Sequence, residues 1–212
     1  MTTRPVPCPE AVGRCAAARH ARWGVAALLA SALGFCGCAT LQEFAALRSV
    51  AFSFDRVGDV RVAGVAIGAG TRFTNLGVAD GLRLGTAIAS GRVPLELIAH
   101  VRAENPTENR VAARMVRAEW TLFVEDREAI GGTVAEPISI APGQAADVPV
   151  AVEFDLLRLG NGGARDLFDT ALSIAGYGTA AKELRLELVP TIETRLGPIR
   201  YPAPVVVRRA AR

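Results

Sequence analysis

Past residue 38 this 212-residue chain has no cysteine. Its four, Cys8, Cys15, Cys36 and Cys38, all fall in the first 38 positions. A domain built from the rest has neither disulfide nor thiol, which excludes cysteine redox chemistry and thiolate zinc sites. Histidine is nearly as scarce: only His20 and His100 occur. His100 sits on the polar face of an alternating stretch and reads as a surface residue. No metal site is expected. No G-x-S-x-G occurs, and a Ser/His/Asp set could form only around His100. The glycine-rich pieces Gly68–Gly70 and Gly160–Gly163 lack a phosphate-loop lysine and a dinucleotide pattern, so they read as turns and no cofactor is expected. An excess of one charge is missing too. The chain has 24 basic and 21 acidic residues. Residues 1–37 hold Arg4, Arg14, Arg19 and Arg22 against Glu10, which leaves 20 of each sign in the remainder. With no basic tract beyond Arg208-Arg209, nucleic acid is not an expected partner.

The one long apolar run is short for a membrane span. Trp23 to Phe35, "WGVAALLASALGF", carries no charge. As a helix it would reach roughly 20 Å at 1.5 Å per residue, against roughly 30 Å of hydrocarbon. Arg14, Arg19, His20 and Arg22 precede it, and small residues end it. Those are the parts of a secretory signal. The end, "FCGC", resembles a bacterial lipobox: Phe35 at −3, Cys36 at −2, Gly37 at −1, and Cys38 as the modified cysteine. Taking Cys36 instead would put the bulky Phe35 at −1. The resemblance implies cleavage before Cys38 and diacylglycerol on its thiol. Two or more acyl chains, at about 0.8 kcal/mol per buried methylene, make a stable anchor. Ala39, rather than aspartate, follows, which implies an outer-membrane lipoprotein facing the periplasm or the cell surface. The alternatives are a secreted protein without lipid and an uncleaved N-terminal anchor. The expected organisation is a lipoprotein-type signal peptide over 1–37, a lipidated tether over 38–48 and one domain over 49–209. At that size roughly 70% of the unfolded chain's surface can be buried, enough for a single core.

Alternation runs through the domain. Leu95, Leu97, Ala99, Val101 and Ala103 share one face, with Glu96, His100, Arg102 and Glu104 on the other. Val116, Ala118, Trp120, Leu122 and Val124 form a second apolar face. Val148, Val150, Val152 and Phe154 form a third, and Leu184, Leu186, Leu188 and Ile192 a fourth. A period of two with one polar face predicts half-buried antiparallel strands. Weaker strands fit Val50–Phe54, Val60–Ile67, Ala129–Val134, Ile138–Ile140 and Ile199–Val207. Turn signals fall at Asn105-Pro106, Asp126-Arg127, Gly131-Gly132, Ala141-Pro142-Gly143 and Gly197-Pro198. Pro149 and Pro190, inside strand patterns, predict edges or bulges. Two stretches depart from alternation. Ala164–Gly176 has Leu167, Phe168, Ala171, Leu172 and Ala175 at helical spacing. Residues 74–90 place Val78, Leu82 and Ile88 in a looser helical pattern. The fold expected is all-β: a fibronectin-III- or immunoglobulin-like antiparallel β-sandwich with one or two short capping helices.

Paired carboxylates occur at Glu125-Asp126 and at Glu153/Asp155. The first pair points to opposite faces of a turn, and the second shares a polar strand face. Neither predicts the cleft that a pair of catalytic carboxylates needs. Trp120 falls on an apolar face and reads as core. No catalytic residue is expected.

The segment from Leu95 to Leu156 resembles the late embryogenesis abundant type 2 domain, also called the WHy (water stress and hypersensitive response) domain. The likeness lies in an alternating strand ending in Asn105-Pro106 and a following strand with an inward aromatic, Val116–Val124. It continues in the glycines Gly131-Gly132 and an Ile140-to-Phe154 turn and strand. The closing "PTIETRLGPIRYPAPVVV" is similar to the family's last hairpin. Pro106 disfavours helix at Asn105 and removes a ladder donor, ending the strand. The Asn105 side chain is expected to bond backbone two residues on. The resemblance implies a non-enzymatic protein that protects in desiccation or water stress, here held to the membrane through lipid on Cys38. The other reading is an envelope binding or assembly module that contacts a protein partner or carries a hydrophobic ligand. A hydrolase would need Glu153 or Asp155 to face another carboxylate across a cleft.

Overall fold

The computed structural model describes residues 48–160, 162–194 and 197–209. Cys38, the signal sequence and residues 38–47 of the tether lie outside them. Ten strands follow in order: β1 (Ala51–Val62), β2 (Val65–Ala66), β3 (Pro94–Glu104), β4 (Ala113–Val124), β5 (Arg127–Val134), β6 (Ile138–Ile140), β7 (Ala145–Asp155), β8 (Leu184–Thr194), β9 (Gly197–Arg200) and β10 (Val205–Arg209). Helix α1 (Val78–Ala89) lies between β2 and β3, and α2 (Ala164–Ala175) between β7 and β8. One sheet has the order β2-β1-β3-β7. The other has the order β10-β8-β4-β5, with β6 also on β4 and β9 on β8. Every pairing is antiparallel. The fold is an all-β sandwich with two short capping helices.

The strands form where a period of two lets one face leave water. Leu95, Leu97, Ala99, Val101 and Ala103 of β3 are buried, as are Val148, Val150, Val152 and Phe154 of β7. Leu184, Leu186, Leu188 and Ile192 of β8 meet them from the other sheet in one core. In β4 the expected face slips. Ala118, Trp120, Leu122 and Val124 are buried, but Val116 is only half-buried, and Met115 and Ala113 take the inward positions. A bulge between Met115 and Arg117 opposite Ile192 and Thr191 inserts one extra residue and reverses the alternation.

Several turns fall elsewhere than expected. Gly131 and Gly132 are not a turn but lie within β5, opposite Thr121 and Trp120. A Cβ on Gly132 would stand 2.5 Å from Cζ2 of Trp120, so the glycine gives the indole its room. The β4–β5 turn is Glu125-Asp126, both at positive φ (49° and 61°). That is the hand a two-residue hairpin requires. Val50–Phe54 and part of Val60–Ile67 join as β1, which reverses through Ala63-Gly64 into β2. Ile199–Val207 divides into β9 and β10 around Pro202 and Pro204, which cannot donate to a ladder. Pro149 lies in β7, an edge strand, as expected. Pro190 sits in the interior strand β8 beside the β4 bulge, between the stretches that β10 and β9 pair.

Helix α1 forms but turns a different side inward. Val78 is 93% exposed and Leu82 71%, while Leu84 is buried and Ala87 and Ile88 are half-buried. Helix α2 buries the expected residues together with Ile174. It ends at Gly176, whose φ of 87° is the left-handed C-cap, and the N–H groups of Tyr177 and Gly178 donate to the Leu172 carbonyl. The two ends of the sandwich differ. At one, Ala51 pairs with Glu104 beside Asn105. At the other lie the helices, the Ala63-Gly64 turn and the Glu125-Asp126 turn, next to the pairs Pro94–Asp155 and Val124–Leu184.

Candidate functional site

Asn105 is fully buried. Its backbone N–H donates to Gln144 O at 2.9 Å, and its carbonyl accepts from Gly143 N at 2.8 Å. Its Nδ2 donates to the carbonyls of Val111 (3.2 Å) and Ile140 (2.9 Å), and its Oδ1 accepts from Asn109 Nδ2 at 2.7 Å. The expected bond two residues on is replaced by bonds four, six and 35 residues away. The reason is burial: an amide with no water near it must find every partner in the protein. Asn105 thereby joins the end of β3 in one sheet to the end of β6 in the other. Pro106 opens the loop whose return the Asn109 N–H marks by donating to Pro106 O. The opposing turn, Ala141-Pro142-Gly143-Gln144, has proline at its second position and Gly143 at φ 71°, the residues a type II turn demands. Asn105-Pro106 is a structural joint.

The other candidate groups are scattered and bonded. His100 Nδ1 lies 2.7 Å from Asp147 Oδ2 on the outer face of the first sheet, with Arg56 Nη2 3.3 Å away. Glu153 pairs with Arg92 at 3.0 Å. Asp155 Oδ1 accepts from the N–H groups of Val93 and Leu157, so it caps the turn after β7. Glu125 pairs with Lys182 at 2.6 Å and Asp126 with Arg185 at 3.4 Å. Among the described residues no three His, Cys, Asp or Glu side chains are grouped to hold a metal ion. Trp120 is core.

Arg209, near the end of the chain, went unread in the sequence. Its Nη2 donates to the carbonyls of Ile174 (2.5 Å), Lys182 (3.1 Å) and Ser173 (3.4 Å). The guanidinium also lies 5.7 Å from the centre of the Phe54 ring. Burial pulls its pKa below the usual arginine value. The carbonyls at the negative end of α2 offset that desolvation. Sequence shows Arg208-Arg209 only as a basic tail, because its partners lie 27 to 36 residues away.

Two surface depressions lie at the helical end. A cleft of about 620 Å³ opens between the Gly70–Thr74 loop and the side of α2 that carries Arg165, Asp169, Leu172 and Ser173, with Tyr177–Thr179 beyond it. On α1 the exposed Leu82 lines a shallow apolar groove with Ala63, Ala87 and Pro94, and the exposed Val78 lies one turn before it on the helix. No helix among the described residues is long and apolar enough to cross a membrane.

No family model matches the chain. No curated protein matches it in sequence. Several solved structures are similar, among them the following three. One is a protein from Archaeoglobus fulgidus at 14% identity and TM-score 0.36, covering 75% of this chain and 95% of that one. The second is a candidate late embryogenesis abundant (LEA) protein, At2g46140.1, solved in solution, at 14% identity and TM-score 0.39, covering 88% and 83%. The third is AT1g01470 from Arabidopsis thaliana at 16% identity and TM-score 0.35, covering 54% and 68%. All three likenesses are distant.

Proposed function

We propose that this chain is a non-catalytic, lipid-anchored protein of the bacterial cell envelope, whose folded domain protects membranes or client proteins as water is withdrawn. The observation that carries the non-catalytic part is the dispersal of the reactive side chains. A catalytic pair must converge on one substrate position. Here Glu153, Asp155, Glu125 and His100 hold separate structural partners. Anchoring is supported by the "FCGC" leader, and the stress role by the sequence resemblance to the LEA type 2 family.

The test is deletion in the source organism with complementation by wild type or Cys38→Ala, scored by survival of drying and osmotic shock. Wild type restores survival and Cys38→Ala does not. Unchanged survival in the deletion strain would refute the protective role. Full rescue by Cys38→Ala would refute the need for an anchor. Intact mass of the same proteins checks the chemistry: the wild type begins at Cys38 with added acyl mass, and the variant lacks it.

A second reading, an envelope binding or assembly module, is favoured by the exposure of Val78 and Leu82 on one helix face. Replacing both with serine abolishes retention of envelope proteins if that face is the contact, and leaves retention unchanged if it is not.

A further inference from the structure

The cleft at the helical end has the size, rigidity and unspent chemistry of a small-ligand site. Its volume of about 620 Å³ falls within the range of roughly 300–1,000 Å³ for ligand pockets. Both walls are fixed by contacts that leave the side-chain polar groups of Arg72, Tyr177 and Thr179 unused. On one side Phe73 packs edge-on against Phe168, with ring centres 5.9 Å apart. Thr71 Oγ1 and the Gly68 N–H close the loop at 3.0 Å, and Asn75 N–H donates to Arg72 O. On the other side the bonds of Tyr177 and Gly178 to the Leu172 carbonyl set the loop after α2. Gly178 lies so close to Ser173 that a Cβ there would stand 2.5 Å from its Oγ.

What those walls present is specific. Arg72 lines the cleft, and its guanidinium has no ion pair among the described residues. Arg165 lines it as well, with Asp169 at a loose 3.8 Å. Tyr177, which also lines the cleft, is 41% exposed. The hydroxyls of Ser173 and Thr179 also line the cleft.

Elimination narrows the ligand. Two guanidiniums against one carboxylate disfavour a cation. The lining is mixed, and its two guanidiniums, carboxylate and hydroxyls would be left unpaired against a bare acyl chain. A domain with equal numbers of acids and bases lacks the extended basic track a nucleic-acid strand needs. Guanidinium matches carboxylate or phosphate in a two-point hydrogen bond. Hydroxyls match hydroxyls, and an exposed aromatic ring offers an amphipathic face of low conformational cost. We infer that the cleft binds an anionic sugar, one bearing a carboxylate or a phosphate, with Arg72 on the anion and Tyr177 against the ring. This site is independent of the anchor and of the protective role.

The test is titration calorimetry of the full chain in detergent micelles with four probes: glucuronate, glucose 6-phosphate, glucose and inorganic phosphate. Wild type is compared with Arg72→Gln and Tyr177→Leu, each checked for an unchanged melting temperature. Saturable binding of at least one anionic sugar is expected, at least tenfold tighter than glucose or phosphate. Which of the two binds identifies the anion. Each substitution weakens binding at least tenfold, and added salt weakens it further. Absence of binding overturns the site. Phosphate binding as tightly as the sugars reduces it to a bare anion site and overturns the sugar. Variants that bind as wild type place the ligand elsewhere and overturn the assignment.

Discussion

Replacing Asn105 with alanine should be among the costliest single changes in this domain. The residue is completely buried, and its amide is the donor for two carbonyls, Val111 O at 3.2 Å and Ile140 O at 2.9 Å. It is also the acceptor for Asn109 Nδ2 at 2.7 Å. Alanine removes all three bonds at once and leaves partners behind that cannot move into water without opening the joint. A buried group deprived of its partner costs about 1–3 kcal/mol. The buried Ile140 carbonyl and the part-buried Val111 carbonyl together give a loss of about 2–5 kcal/mol, against a total stability on the order of 5–15 kcal/mol. For a domain of this size that lowers Tm by about 10 °C. Urea denaturation with a shared slope separates lost stability from a changed unfolded state. Asn105→Asp refines the test, because it keeps the shape and turns a donor toward two carbonyls into an acceptor. Burial raises the pKa of such a carboxyl in the folded state above its unfolded value. The folded form then binds the extra proton, so this variant recovers stability relative to wild type as pH falls from neutral toward about 4. A loss under about 1 kcal/mol for Asn105→Ala, or no pH-dependent recovery for Asn105→Asp, would refute the joint.

Three further outcomes follow from the same geometry. Gly132→Ala pushes a methyl into the Trp120 indole at 2.5 Å; it costs about 1–3 kcal/mol by overpacking, and the emission of Trp120 shifts. Arg209→Met frees the carbonyls of Ser173, Ile174 and Lys182; a loss of about 2 kcal/mol is expected, with faster amide exchange at Gly176–Gly178 than at β3. Val78→Ser with Leu82→Ser touches side chains 93% and 71% exposed; its stability stays within about 0.5 kcal/mol per site in denaturant, and a larger loss would mean that α1 packs differently.

The sequence made most of the sandwich legible because alternation is a local signal. Each of β3, β7 and β8 announces its buried face within ten residues. What it left unread was set across the sheets. The bulge at Met115–Arg117 depends on the register against Ile192 and Thr191, and nothing within β4 marks it. Gly131-Gly132 has the composition of a turn, and only the facing Trp120 explains its place in a strand. The inward face of α1 is chosen by the end of the sandwich below it, so Leu84 won over Val78 and Leu82. The Asn105-Pro106 signature was visible as a strand terminator, but the partners of its amide lie up to 35 residues away. The cleft was invisible for the same reason, since Arg72 and Tyr177 meet only when α2 folds against the Gly70–Thr74 loop.

The distribution of these features has a functional consequence. Two polar staples hold the sandwich, the buried Asn105 at the end where β1 begins and the half-buried Arg209 toward the helical end. On the outer sheet faces, charges are largely matched by neighbours, as in Arg92–Glu153, Arg200–Glu119 and Arg208–Glu183. Of the large apolar side chains left exposed among the described residues, Val78, Leu82 and Tyr177 lie at the helical end and only Val206 lies on a sheet face. The cleft with Arg72 is there as well. The chain enters the first sheet at Ala51, next to Glu104 and Asn105, and β1 then runs 12 residues to the other end, roughly 40 Å at 3.3 Å per residue. If the chain is anchored as proposed, the tether joins the domain at its Asn105 end, where β1 begins, and not at the helical end. If the proposed ligand and partner contacts lie at the helical end, a substitution at Arg72, Tyr177, Val78 or Leu82 should change binding without changing fold, the reverse of one at Asn105.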